Sequence, residues 1–131
     1  VALEATDRAS ATEWTETALR EASLGPDRNF YCQAGQAAFV VNPRGEMNAC
    51  IDLPLPAARP LETGFRAAWE QVQRFVDTAP PLAPPCLTCD ARAYCPRCPA
   101  WSALETDTLT EPVPYLCEIA QARKGRYGQP A

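Results

Sequence analysis

Apolar and polar positions fall into four regular stretches separated by proline. From Ala9 to Leu24 there is neither Gly nor Pro, and Trp14, Ala18 and Ala22 recur every four residues. That period sets them on one face of a helix, which Gly25-Pro26 stops. Phe39-Val40-Val41 reads as a short strand, and Asn42-Pro43-Arg44-Gly45 follows it. Proline suits the second position of a type I turn, and Gly45 suits the left-handed position after it. Glu46 to Ile51 then returns as a second strand, with Cys50 falling opposite Ala37. Pro54, Pro56 and Pro60 make 53–60 an extended connector. A second helix is expected over 61–78, with Phe65, Trp69, Val72 and Val76 on its apolar face. Pro80, Pro81, Pro84 and Pro85 oppose regular structure, and the chain reads as loop up to Pro114. A third helix is expected over 113–123, followed by a frayed tail over 126–131. The pattern predicts a small, irregular, loop-rich α+β fold with one hairpin and about three helices.

Composition makes that fold look short of core. Of 131 residues, Val, Leu, Ile, Met, Phe, Trp and Tyr supply 31, while 23 are Ala and 14 are Pro. A thin core calls for a staple such as a metal or disulfides. Net charge −4 and a pI near 4.8 argue against a nucleic-acid surface. No apolar run is long enough to span a membrane. With no histidine in the chain, a Ser-His-Asp triad, a Cys-His pair and a two-Cys two-His finger are excluded. The chain starts at Val1 and its single methionine is Met47, so a piece of a longer or processed protein is expected.

Seven cysteines change the picture. An odd number suits a disulfide scaffold poorly. A reducing, cytoplasmic setting leaves thiols available for metals. Cys86, Cys89, Cys95 and Cys98 follow a C-x2-C-x5-C-x2-C pattern. Each C-x2-C step lets two thiolates converge while turn amides point at the sulfurs. Thiolates packed this closely repel one another unless a cation neutralises them. Four-Cys zinc sites space their pairs more widely, whereas compact runs resemble iron–sulfur ligation. Zinc stays open as the alternative. Arg92, Tyr94, Arg97 and Trp101 surround the run, either around the ligands or in packing roles. Asp52, Glu62, Asp90 and Asp107 read as solvated charges, with Asp90, beside Cys89, the one worth testing as a base or a further ligand.

The full pattern, Cys32-x12-Gly45-x4-Cys50, then Cys86-x2-Cys89-x5-Cys95-x2-Cys98, then Cys117, resembles the SPASM domain. This is the seven-cysteine, C-terminal extension of many radical S-adenosylmethionine enzymes, including sulfatase and peptide maturases. One step differs: two residues separate Cys95 from Cys98, where the usual pattern has three. The resemblance implies two auxiliary 4Fe-4S clusters. Cys86, Cys89, Cys95 and Cys117 would fully ligate one. Cys32, Cys50 and Cys98 would hold the other and leave one iron open, with Gly45 as the turn residue that returns Cys50 toward Cys32. The family's radical-generating C-x3-C-x2-C loop does not occur in this sequence, so the chain alone is not expected to be the enzyme. S-adenosylmethionine would bind only the parent protein. The expected organisation is a linker and helix over 1–28, leading from a radical barrel in cis, and a cluster domain over 29–131. Its implied role is electron relay or substrate anchoring in the modification of a peptide or protein. The competing reading is a non-enzymatic zinc module for structure or interaction.

Overall fold

The computed structural model describes residues 29–128. The expected helix over 9–24 and the linker over 1–28 lie outside the described residues. Within them the chain is α+β. One antiparallel hairpin joins β1 (Val40–Val41) to β2 (Met47–Asn48), with Val40 opposite Asn48 and Val41 opposite Met47. Five helices follow: α1 (Pro60–Thr63), α2 (Phe65–Asp77), α3 (Pro84–Leu87), α4 (Pro99–Thr106) and α5 (Pro114–Tyr127). A single 3-10 turn, Arg92–Tyr94, lies between α3 and α4.

The hairpin turn forms where the sequence placed it, and side chains tie it down. Asn42 Oδ1 accepts from the backbone amides of Arg44 at 2.9 Å and Glu46 at 3.1 Å. Its Nδ2 donates to Glu46 Oε2 at 2.8 Å, and Arg44 donates to the same oxygen. Gly45 takes φ +77°, the left-handed position. The ladder is shorter than expected. It ends at Asn48, and its register, if continued, would face Cys50 with Ala38 rather than Ala37. Cys50 instead bridges to Leu53 in the next turn.

The connector is more ordered than its prolines suggest. Met47 exchanges backbone hydrogen bonds with Ala58, at 2.6 and 3.0 Å, so the 53–60 segment docks on β2. The expected helix over 61–78 is two helices, because the chain turns at Gly64, a poor helix former. The apolar face of α2 runs Ala68, Val72 and Val76 into the core, while Phe65 at its start stays exposed. Phe65 packs edge-on and Trp69 tilted against Phe39, at 5.5 and 5.7 Å between ring centroids.

The core lies between β2, the connector, α2 and the start of α4. Phe30, Met47, Leu53 and Val72 are its largest buried apolar side chains, and Ala49, Ala58, Ala68 and Ala100 fill the gaps. Cys50 and Cys98 pack at its edge. Truncating Met47 to Ala should cost about 2–5 kcal/mol.

The segment over 80–113 is not the loop the prolines predicted. Pro84-Pro85 open α3, and Pro99 opens α4. At the first helical position a proline gives up no intrahelical hydrogen bond, and its fixed φ favours the helix. By the same device Pro114 opens α5, which runs on to Tyr127 and absorbs part of the expected tail. No helix among the described residues is long and apolar enough to cross a membrane.

Candidate metal centre

Four of the seven cysteines meet at one cavity. Cys86 sits inside α3, where its amide donates to Ala83 O at 2.9 Å. Cys89 follows the end of α3 and its amide donates back to Cys86 O, so the C-x2-C step curls through the last helical turn. Its own carbonyl accepts from Arg92 N, which starts the 3-10 turn. Cys95 leaves that turn in extended backbone. Cys117 comes from the first turn of α5, its amide donating to Val113 O at 3.1 Å. Three separate pieces of chain therefore deliver Cys86 and Cys89, Cys95, and Cys117 to the same wall.

The cavity is about 170 Å³. Leu82, Pro85, Pro112 and Ala120 supply its apolar walls, and Arg92 and Arg97 supply its cations. A cavity of about 150 Å³ holds a benzene molecule, so this one takes a compact multi-atom group. It is roomier than one zinc ion needs with sulfurs about 2.3 Å away. Among the described residues, no three Cys, Asp or Glu side chains stand close enough to share one metal ion. All seven thiols are free of disulfides.

Electrostatics at the cavity oppose bare thiolates. Burial pushes the Cys95 thiol up to about 11, and neighbouring Cys117 and Cys86 add to the rise. The Arg97 backbone N–H, donating to the Cys95 sulfur, and the Arg97 charge pull the other way. Burial also raises Cys86, with Arg97 opposing it and Cys117 and Cys89 reinforcing it. Such thiols ionise readily only when a cation enters among them.

The remaining cysteines are arranged less completely. Cys98 stands just before α4, its carbonyl accepting from Ser102 N at 3.0 Å. Cys50 lies near enough to Cys98 that the two thiolates repel, which adds to the burial that raises Cys50. The amides of Asp52 and Leu53 point at the Cys50 sulfur and partly offset that rise. Cys32 is exposed on the loop before the hairpin. The structure thus brings Cys50 and Cys98 together, but Cys32 does not join them in a group compact enough for one ion.

No protein-family model, curated protein or solved structure matches this chain. The site therefore rests on its own chemistry.

Asp90 has a structural task. Its carboxylate accepts from Gln121 Nε2 at 3.2 Å and pairs with Lys124 Nζ, and these partners hold it below the usual carboxylate range. It braces α5 against the loop after Cys89. Asp52, Glu62 and Asp107 are not among the cavity-lining residues. Of the residues around the dense run, Arg92 and Arg97 line the cavity, whereas Trp101 is partly exposed on α4.

Two positioning residues carried no sequence signal. A Cβ on Gly35, at φ +66°, would come within 2.5 Å of Val76 Cγ2, so the loop carrying Cys32 sits on α2 only as glycine. Asn29, 3% exposed, receives Arg97 Nη1 on its carbonyl oxygen at 3.1 Å and Nη2 on its side-chain oxygen. The turn glycine signals itself by its position between strands, but Gly35 and Asn29 take their roles from partners far along the chain.

Proposed function

We propose that this chain is an auxiliary iron–sulfur domain of a larger radical S-adenosylmethionine enzyme that modifies a peptide or protein. The observation that carries the reading is the shared cavity. Four cysteines from three pieces of chain line one cavity of about 170 Å³, with apolar walls and two arginines beside them. Cys86, Cys89, Cys95 and Cys117 would hold one 4Fe-4S cluster. Cys50 and Cys98, with Cys32 swinging in from its exposed loop, would hold a second with one iron open. A bound cluster supplies one-electron transfer, or an open iron to which a substrate atom can bind. The chain's own residues do the rest: α3 and α5 orient the thiolates, and Leu82, Pro85 and Ala120 exclude water. Amides at the Cys95 and Cys50 sulfurs stabilise the thiolate forms. The setting proposed is cytoplasmic, where thiols stay reduced.

The test is strictly anaerobic preparation of the chain followed by iron, sulfide and zinc analysis and visible and EPR spectroscopy. Iron with acid-labile sulfide in equal amounts and a paramagnetic signal on reduction support the reading. A colourless protein with stoichiometric zinc would establish the zinc-module alternative. Metal-free protein with at most one free thiol would establish a disulfide scaffold.

A further inference from the structure

Arg97 is the only charged residue that is buried among the described residues, with 8% of its surface exposed. A guanidinium is not taken out of water without hydrogen bonds to hold it. Asn29 provides two, accepting Nη1 on its carbonyl oxygen and Nη2 on its side-chain oxygen. Asn29 is fixed in turn, because its Nδ2 donates to Leu109 O at 3.0 Å. The Arg97 carbonyl accepts from the Tyr31 hydroxyl, which anchors the backbone end of the same residue. A fixed positive charge is thus built into the wall of a cavity whose other chemical groups are four thiols and Arg92.

We propose that Arg97 is a charge-compensating residue: held by Asn29, its guanidinium raises the reduction potential of an anionic iron–thiolate group bound by Cys86, Cys89, Cys95 and Cys117. The inference rests on the cluster reading above and adds to it the device that tunes the site. Reduction by a low-potential one-electron donor delivers one electron. With no proton taken up, it adds one negative charge to a site already anionic through its thiolates. A cation held in a low-dielectric wall stabilises the more negative state more strongly than the oxidised one. Arginine suits this role because it stays protonated and its fork fits the two oxygens of one Asn. A purely structural arginine would serve equally well with its charge cancelled in place.

That difference is testable in the full chain, reconstituted anaerobically with ferrous iron and sulfide. The readout is the midpoint potential from mediated redox titration followed by EPR, with iron and sulfide content measured alongside. Arg97→Gln removes the charge. Asn29→Asp keeps an oxygen acceptor for Nη2 and cancels the charge with a carboxylate, at the loss of the Nδ2 donation to Leu109 O. Arg97→Lys keeps the charge and loses the fork. The expected result is a lower potential for one cluster in Arg97→Gln and Asn29→Asp, at unchanged iron content, with Arg97→Lys closer to the parent chain. Should Arg97→Gln fail to fold, Asn29→Asp carries the test. Wild-type potentials in an iron-loaded Asn29→Asp protein would overturn the inference and leave the cluster reading standing. Failure of the parent chain to take up iron and sulfide would overturn both.

Discussion

Gln121 donates from Nε2 to Asp90 Oδ1 at 3.2 Å, and Lys124 pairs with the other oxygen of the same carboxylate. The contact joins α5, which carries Cys117, to the residue beside Cys89. Neither cysteine reaches the cavity unless these two segments stay together. Asp90→Ala is therefore expected to hasten iron loss from the loaded protein without abolishing its uptake. The rate of transfer to a ferrous chelator checks this, and a rate equal to the parent chain's would show that the brace is immaterial.

Gly35→Ala should be costly. The substitution forces an L-residue into φ +66° and drives its Cβ to 2.5 Å from Val76 Cγ2. The left-handed backbone costs about 1–2 kcal/mol and the overpacking about 1–3 kcal/mol, so roughly 2–5 kcal/mol is expected together. Urea unfolding of the metal-free chain measures it. A loss under about 0.5 kcal/mol would mean the 32–36 loop lifts off α2 at no cost.

Glu46 predicts an acid limb for the hairpin. Its carboxyl lies below the ordinary value of 4.5, chiefly through hydrogen bonds from Asn42 and then from Arg44. A carboxylate lowered in this way stabilises the fold above its unfolded pKa, and the contribution disappears as pH falls through the lowered folded value. The parent chain should lose stability below about pH 4.5, and Glu46→Gln should flatten that part of the curve. Parallel curves for the two proteins would exclude Glu46 as the titrating group.

How much of this was legible in the sequence varies by element. The turn at Asn42 to Gly45 was readable because a local signal, proline then glycine, decides it. The apolar face of α2 was readable because Val72 and Val76 repeat at helical spacing. Spacing alone groups Cys86, Cys89, Cys95 and Cys98, whereas the cavity is lined by the first three and Cys117. Short helices over 84–87 and 99–106 were not, since proline reads as a breaker until its place at the first helical position is known. Gly64 splits the helix expected over 61–78, and a lone glycine inside a helical period does not by itself mark a break. The Arg97–Asn29 contact joins residues 68 positions apart, and no local pattern encodes it.

Removing metal should loosen 80–114 more than the rest of the chain. That segment has few large apolar residues in the core cluster, whereas β2 and α2 bury Met47, Val72 and Val76. With no cation, burial keeps the Cys95 and Cys86 thiols protonated, and the segment loses the cross-links that metal-bound thiolates would supply. Limited proteolysis of loaded and stripped protein should place the new cuts between Pro80 and Pro114. Equal resistance of that segment in both forms would contradict the dependence on metal.

The most direct measurement of the central claim is iron bound per chain in the parent protein and in the Cys86→Ser, Cys117→Ser double variant, both loaded anaerobically. If the four cysteines at the cavity hold one cluster, the variant loses about four irons and four sulfides per chain and keeps whatever Cys32, Cys50 and Cys98 bind. Identical iron and sulfide in the two proteins, or zinc without sulfide in the parent, would contradict the account.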